Sequence, residues 1–98
     1  MNQVIFTAVA LADLNSLAAY VGLDSPAHAE TLVARLEAAT HSLGRFPFKG
    51  RARPDLNATV RSLPVGNYII FYQVQPHAVR ILHIMHAARD ISTADFDP

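Results

Sequence analysis

The sequence predicts an α+β domain: an N-terminal strand, an antiparallel helical hairpin, then a three-stranded antiparallel β-meander. Three observations carry this. A short apolar run, Gln3 to Phe6, gives way to apolar residues recurring at three- and four-residue steps, the spacing of one helical face. A Gly and a Ser-Pro pair interrupt that helical stretch at a separation that leaves room only for a hairpin. The second half then holds two runs rich in β-branched and aromatic residues, divided by turn signals.

Gln3 to Phe6 is the first strand. Thr7 suits a helix N-cap, because its hydroxyl accepts from an exposed backbone N–H. Leu11, Leu14, Leu17, Ala18 and Val21 then line one face of a helix over 8–21. Gly22 is read as its C-terminal stop, since Gly takes positive φ freely, and 22–24 as the linker. Ser25-Pro26 opens the second helix, with Ser as cap and Pro at the first helical position. Ala29, Leu32, Val33, Leu36 and Leu43 form its apolar face, and Gly44 is read as its end. Glu30 sits early, where the helix dipole favours an anion.

The stretch 45–56 changes character, with two Pro and one Gly, and reads as a loop. Thr59 to Leu63 is a short strand and 64–67 a turn. Tyr68 to Val74 is apolar on both faces and predicts a central strand. A turn at 75–78 leads to a last strand, Val79 to Met85. Alternation places Arg80, Leu82, Ile84 and His86 on one face and Val79, Ile81, His83 and Met85 on the other.

Length and composition set outer bounds. The 98 residues fit a single domain over 1–98. Eight bases balance eight acids, so the molecule as a whole is not a basic coat for nucleic acid. Hydrophobic residues make up 51% and charged ones 16%, an apolar balance that suggests a partner covers part of the surface. There is no Cys, so disulfides, Cys–zinc sites and thiol catalysis are excluded. The apolar start carries Asp13 and Asn15 and lacks basic residues, so neither a signal peptide nor a membrane span is expected. A cytoplasmic protein is the expectation.

Charge is unevenly placed. Between Arg45 and Arg61 lie five bases (Arg45, Lys49, Arg51, Arg53, Arg61) and one acid, Asp55; the tail holds Asp90, Asp95 and Asp97 and no base after Asp90. The basic loop Lys49, Arg51 and Arg53 has Phe46 and Phe48 beside it, and basic residues interleaved with aromatics can form a stacking surface. Solvated charges with both Phe packed beneath the loop is the plainer expectation. Arg61 and Arg80 would form an anion-binding floor if they share a face; the other reading pairs a strand Arg with Asp55 or Asp90. His83 and His86 are three apart on a strand and diverge, with no third ligand nearby, so no metal and no cofactor is expected. No nucleophile elbow, phosphate loop or dinucleotide turn is present.

The stretch 50–56 (Gly-Arg-Ala-Arg-Pro-Asp-Leu), then Val60-Arg61-Ser62-Leu63, then Val65 to Tyr72, and the ending Ile84 to Ile91 together resemble the ParE toxins of the RelE/ParE superfamily. The opening Phe6-Thr7 followed by Ala12-Asp13-Leu14 resembles them too. That resemblance implies a strand, a helical hairpin and a curved antiparallel sheet. It implies the toxin of a bacterial type II toxin–antitoxin pair, inhibiting DNA gyrase and replication by non-catalytic binding. A ParD-like antitoxin would neutralise it in a hetero-oligomer, and DNA would be met only indirectly through the antitoxin. The RelE branch, ribosome-dependent mRNA endonucleases, needs a general acid and base plus cations on the phosphorane. Lys49 is the only Lys, and no Tyr follows Tyr72. The His-x-x-Arg-Asp ending, His86 to Asp90, resembles ParE instead. The residues expected to contact the target are Arg61, Arg80, His86, Arg89 and Asp90; in the nuclease alternative His86, Arg61, Arg80 and Arg89 would be catalytic. A second alternative is a toxin-derived module without toxicity that serves as a binding or co-repressor partner. Cutting the chain after Met85 is expected to abolish toxicity and leave the fold.

Overall fold

A computed structural model describes residues 2–96; Asp97, counted above in the acidic tail, lies outside the described residues. Strand β1 (Gln3–Phe6) leads into helices α1 (Ala8–Asp24) and α2 (Pro26–Arg45), followed by strands β2 (Arg51–Ala52), β3 (Val60–Val65), β4 (Tyr68–Gln75) and β5 (Ala78–His86) and a 3-10 turn at Thr93–Phe96. The strands form one sheet in the order β1-β5-β4-β3-β2. The expected meander is its centre, with β3, β4 and β5 antiparallel. Two strands extend it. β1 joins β5 in parallel, pairing Gln3 with Ala78 through Phe6 with Ile81. β2 pairs Arg51 with Ser62 and Ala52 with Arg61, inside the stretch read as a loop.

Thr7 begins α1 as expected. Its hydroxyl oxygen accepts from Ala10 N at 3.1 Å and donates to the Ile81 carbonyl at 2.9 Å, tying the helix start to β5. Two helix ends differ from expectation. α1 runs through Gly22 to Asp24, and the hairpin linker shrinks to Ser25. Ser25 N–H closes α1 on Val21 O at 3.1 Å while its side chain accepts from His28 N at 3.1 Å and starts α2. α2 likewise runs through Gly44 to Arg45. A Cβ on Gly44 would lie 2.7 Å from Asn2 O, so this Gly admits the start of β1 against the helix. Glu30 falls one residue beyond the first turn of α2, which holds no acid.

Both helices cover one face of the sheet. Between them lie Ala10, Leu14 and Leu17 of α1, Leu32, Leu36 and Leu43 of α2, and Ile70, Tyr72, Val79, Ile81 and Ile84 of the sheet. Full burial of such a Leu or Ile side chain is worth about 1.5–3 kcal/mol. Leu11, expected on the packed face, is exposed. The opposite face carries a smaller cluster, Leu56, Val60, Phe71 and Met85, over which Ile91 and Phe96 of the tail fold back.

β5 does not alternate throughout. Its register with β4 shifts between Phe71 and Tyr72, so Tyr72 opposes Ile81, Phe71 opposes His83, and Leu82 is the extra residue. An extra residue reverses the facing of everything beyond it. Ile81 and Ile84, expected on opposite faces, both join the helix-side core, while Leu82 and Met85 both pack on the other side.

Candidate functional site

The end of β5 and the middle of α1 form one concave surface. Asp13, half-buried on α1, accepts through a single oxygen from Ile84 N at 3.0 Å and contacts His83 Nδ1 at 2.8 Å. The other ring nitrogen of His83 donates to the Asp95 carbonyl at 3.0 Å. This clasp fixes the segment next to the irregular pairing, where the sheet leaves a backbone N–H for α1 to receive. Asp13 is one of two acids on α1, and nothing local in the sequence marks Ile84 N and His83 as its partners.

Beyond the clasp stands His86, exposed and edge-on to Tyr68 with ring centroids 5.2 Å apart. Ala88 N donates to its Nδ1 at 3.0 Å, so in the neutral ring Nε2 carries the proton. Arg89 pairs with Asp95 at 3.3 Å, and its side chain is half exposed. An exposed pair contributes about 0–1 kcal/mol, so another anion can take Arg89 at small cost. His86 and Arg89 line a depression of about 480 Å³ with Ser16, Tyr20 and Tyr68. Asp90 follows on the exposed tail.

Arg61 and Arg80 lie elsewhere. Arg61 opposes Tyr72 on β4, and Tyr72 faces the helices. Arg80 opposes Gln73, the next residue along, and so faces the other way. The two therefore form no common floor. Arg61 donates to Gly50 O at 2.6 Å from Nη2 and 3.2 Å from Nε, and to Phe48 O at 3.4 Å. Its guanidinium carbon sits 5.1 Å from the Phe48 ring centroid. It is a brace for the basic loop. Arg80 donates to Gln73 Oε1 at 3.4 Å in a cleft with Thr59, Leu82 and His83. Neither Arg pairs with Asp55 or Asp90 among the described residues.

Arg53 takes Asp55 instead, through Nε to Oδ1 at 3.1 Å and Nη2 to Oδ2 at 3.0 Å. That hydrogen bonding holds the Asp55 carboxyl below the usual carboxylate range. The pair's contribution is therefore present above the ordinary carboxylate pKa and fades as pH falls through the lowered one. Lys49 and Arg51 stay exposed and in no ion pair among the described residues. Phe46 and Phe48 do not pack beneath the loop; both face solvent. His83 and His86 diverge as expected, and no group of three metal-ligating side chains occurs among the described residues. No helix among them is long and apolar enough to cross a membrane.

A strand, a helical hairpin and this sheet, ending in an exposed His-x-x-Arg-Asp, define a class: the small α+β toxins of type II toxin–antitoxin systems. A chain from the chromosomal ParDE toxin–antitoxin system of P. aeruginosa superposes with a TM-score of 0.75 at 26% identity, over 88% of this chain and 96% of that one. Residues 4–91 match the model of the ParE toxin of the type II toxin–antitoxin system parDE, and the chain belongs to that family. It is 42% identical to Toxin RelE2 of Caulobacter vibrioides over 91% of this chain and 99% of that protein. It is 34% identical to the putative toxin Y4kP of Sinorhizobium fredii, over 88% of each.

Proposed function

We propose that this toxin acts in the cytoplasm as a non-catalytic poison of DNA gyrase, and that a ParD-like antitoxin holds it inactive in a hetero-oligomer. The observation that carries the non-catalytic reading is the scatter of the nuclease candidates. His86 and Arg89 share one depression, Arg61 is spent on the Gly50 and Phe48 carbonyls, and Arg80 is on the far face of the sheet. General acid–base work on one phosphate needs its groups within hydrogen-bond reach of the same reacting atoms. His86, Arg89 and Asp90 are instead the contact surface, with Arg61 holding the neighbouring loop in shape and Arg80 a separate contact.

One observation favours the ribosome-dependent mRNA endonuclease: the likeness to a protein named Toxin RelE2. Pulse-labelling of DNA and protein synthesis within minutes of tightly controlled induction separates the two. Gyrase poisoning stops DNA synthesis and raises DNA-damage signals while translation continues. An early arrest of translation overturns that reading and makes His86 and the Arg set catalytic. Normal growth, with an antitoxin still bound, identifies a binding or co-repressor module.

A further inference from the structure

The segment from Arg45 to Arg51 alternates charge and ring: Arg45, Phe46, Phe48, Lys49, Arg51. Phe46 is 58% exposed and Phe48 68%. A pliable loop would tuck such rings away, since covering apolar area is favourable by roughly 25 cal/mol per Å². This loop is held from below. Tyr72, fully buried, donates from its hydroxyl to Pro47 O at 2.8 Å and accepts from Gly50 N at 2.9 Å. Arg61 binds the Gly50 and Phe48 carbonyls, and Lys49 N donates to Phe46 O at 3.1 Å. A Cβ on Gly50 would lie 2.5 Å from Ser62 O, so the backbone sits against β3 in a way only Gly permits.

The result is a rigid platform. Arg45, Phe46, Pro47, Phe48 and Lys49 line a shallow, largely apolar depression of about 630 Å³. Arg45, Lys49 and Arg51 are exposed and in no ion pair among the described residues. We propose that this loop binds single-stranded nucleic acid, with bases stacked on Phe46 and Phe48 and phosphates on Arg45, Lys49 and Arg51. Every base has a π-face, so stacking tolerates any sequence, while a duplex hides those faces. Cations on both sides of the rings match the alternation of base and phosphate along a strand. An acidic peptide would satisfy the cations, but its apolar side chains need pockets deeper than this one. The platform departs from the expectation that DNA is met only through an antitoxin, since it would touch nucleic acid directly. It rests on the loop and not on the gyrase reading: a chain that poisons gyrase but ignores oligonucleotides defeats this surface alone.

The test is fluorescence anisotropy of the full chain with labelled thymidine and uridine oligomers of about 12 nucleotides, a length within the usual site sizes. Phe46→Ala and Phe48→Ala should each weaken binding at least about five-fold, and Phe48→Tyr should retain it. Affinity should fall roughly twenty-fold between about 50 and about 200 mM salt if three phosphates are neutralised. Arg35→Ala, a cation removed elsewhere, should change nothing, and melting curves confirm that each variant folds. Binding that ignores both Phe substitutions, equal binding to duplex of the same length, absence of binding, or tighter binding of a Glu- and Phe-containing peptide at equal salt overturns the proposal.

Discussion

Tyr72 shows how one side chain serves core and loop together. Its ring lies in the helix-side core while its hydroxyl joins Pro47 O and Gly50 N. Tyr72→Phe keeps the ring and leaves two backbone groups without their partner, so a loss of about 1–3 kcal/mol is expected. Urea unfolding measures it, and an unchanged midpoint would show that water replaces the hydroxyl without cost. Asp13 makes the parallel case on the other side of the molecule. Asp13→Ala strips the acceptor from Ile84 N and His83 Nδ1 and should cost about 1–3 kcal/mol, with Asp13→Asn losing less because it keeps an acceptor oxygen. Equal losses for the two variants would mean that the charge, not the backbone bond, carries the clasp. The roles of both residues are not legible in the sequence for one reason: their partners lie in distant elements. A buried Tyr in a strand announces that its hydroxyl needs a partner, but not that the partner is a loop ending at Gly50.

Elements were legible where local chemistry decides them. Thr7 and Ser25 cap because a hydroxyl beside a free N–H acts within three residues. Gly as a stop is also a local rule, and at Gly44 a long-range contact overrides it, because this Gly makes room for β1; α1 simply continues through Gly22 to the cap at Ser25. Alternation failed in β5 for a similar reason, since the extra Leu82 is visible only against the register of β4. The tail is the element with the clearest consequence. Phe96 lies 5.0 Å from Phe71 and 5.5 Å from His83 between ring centroids, and Ile91 packs on the same cluster. A cut after Met85 uncovers apolar surface as well as removing His86, Arg89 and Asp90, so it should destabilise the fold, against the expectation that the cut leaves it intact. Phe96→Ala alone should cost about 1–2 kcal/mol, less than the ~3–5 of a fully buried Phe. Point changes at His86 and Arg89 are the cleaner probe: they should abolish toxicity in an induction assay without shifting the thermal midpoint. Persistent toxicity would remove these two from the target surface.

At the scale of the whole molecule, the apolar excess collects on α1. That helix is apolar on nearly all sides, whereas α2 has one apolar and one polar face. An all-round apolar helix at a surface signals a second layer of cover. Val9, Tyr20 and Leu23 are 50%, 74% and 83% exposed. Val9 and Tyr20 are separated by about three full turns and Leu23 stands one turn further, so the three fall along one side of α1 over about 20 Å. This stripe is where the antitoxin's segment should lie, as a helix face or an extended strand laid on an apolar groove. Tyr20→Ala combined with Leu23→Ala should weaken the antitoxin complex at least about ten-fold, since a few buried aromatic and apolar anchors dominate such interfaces. The fold should be untouched, because neither side chain belongs to the core. Titration calorimetry of the variant against its antitoxin reads the loss directly, and rescue of growth by co-expressed antitoxin reads it in cells. Unchanged affinity would move the antitoxin off α1.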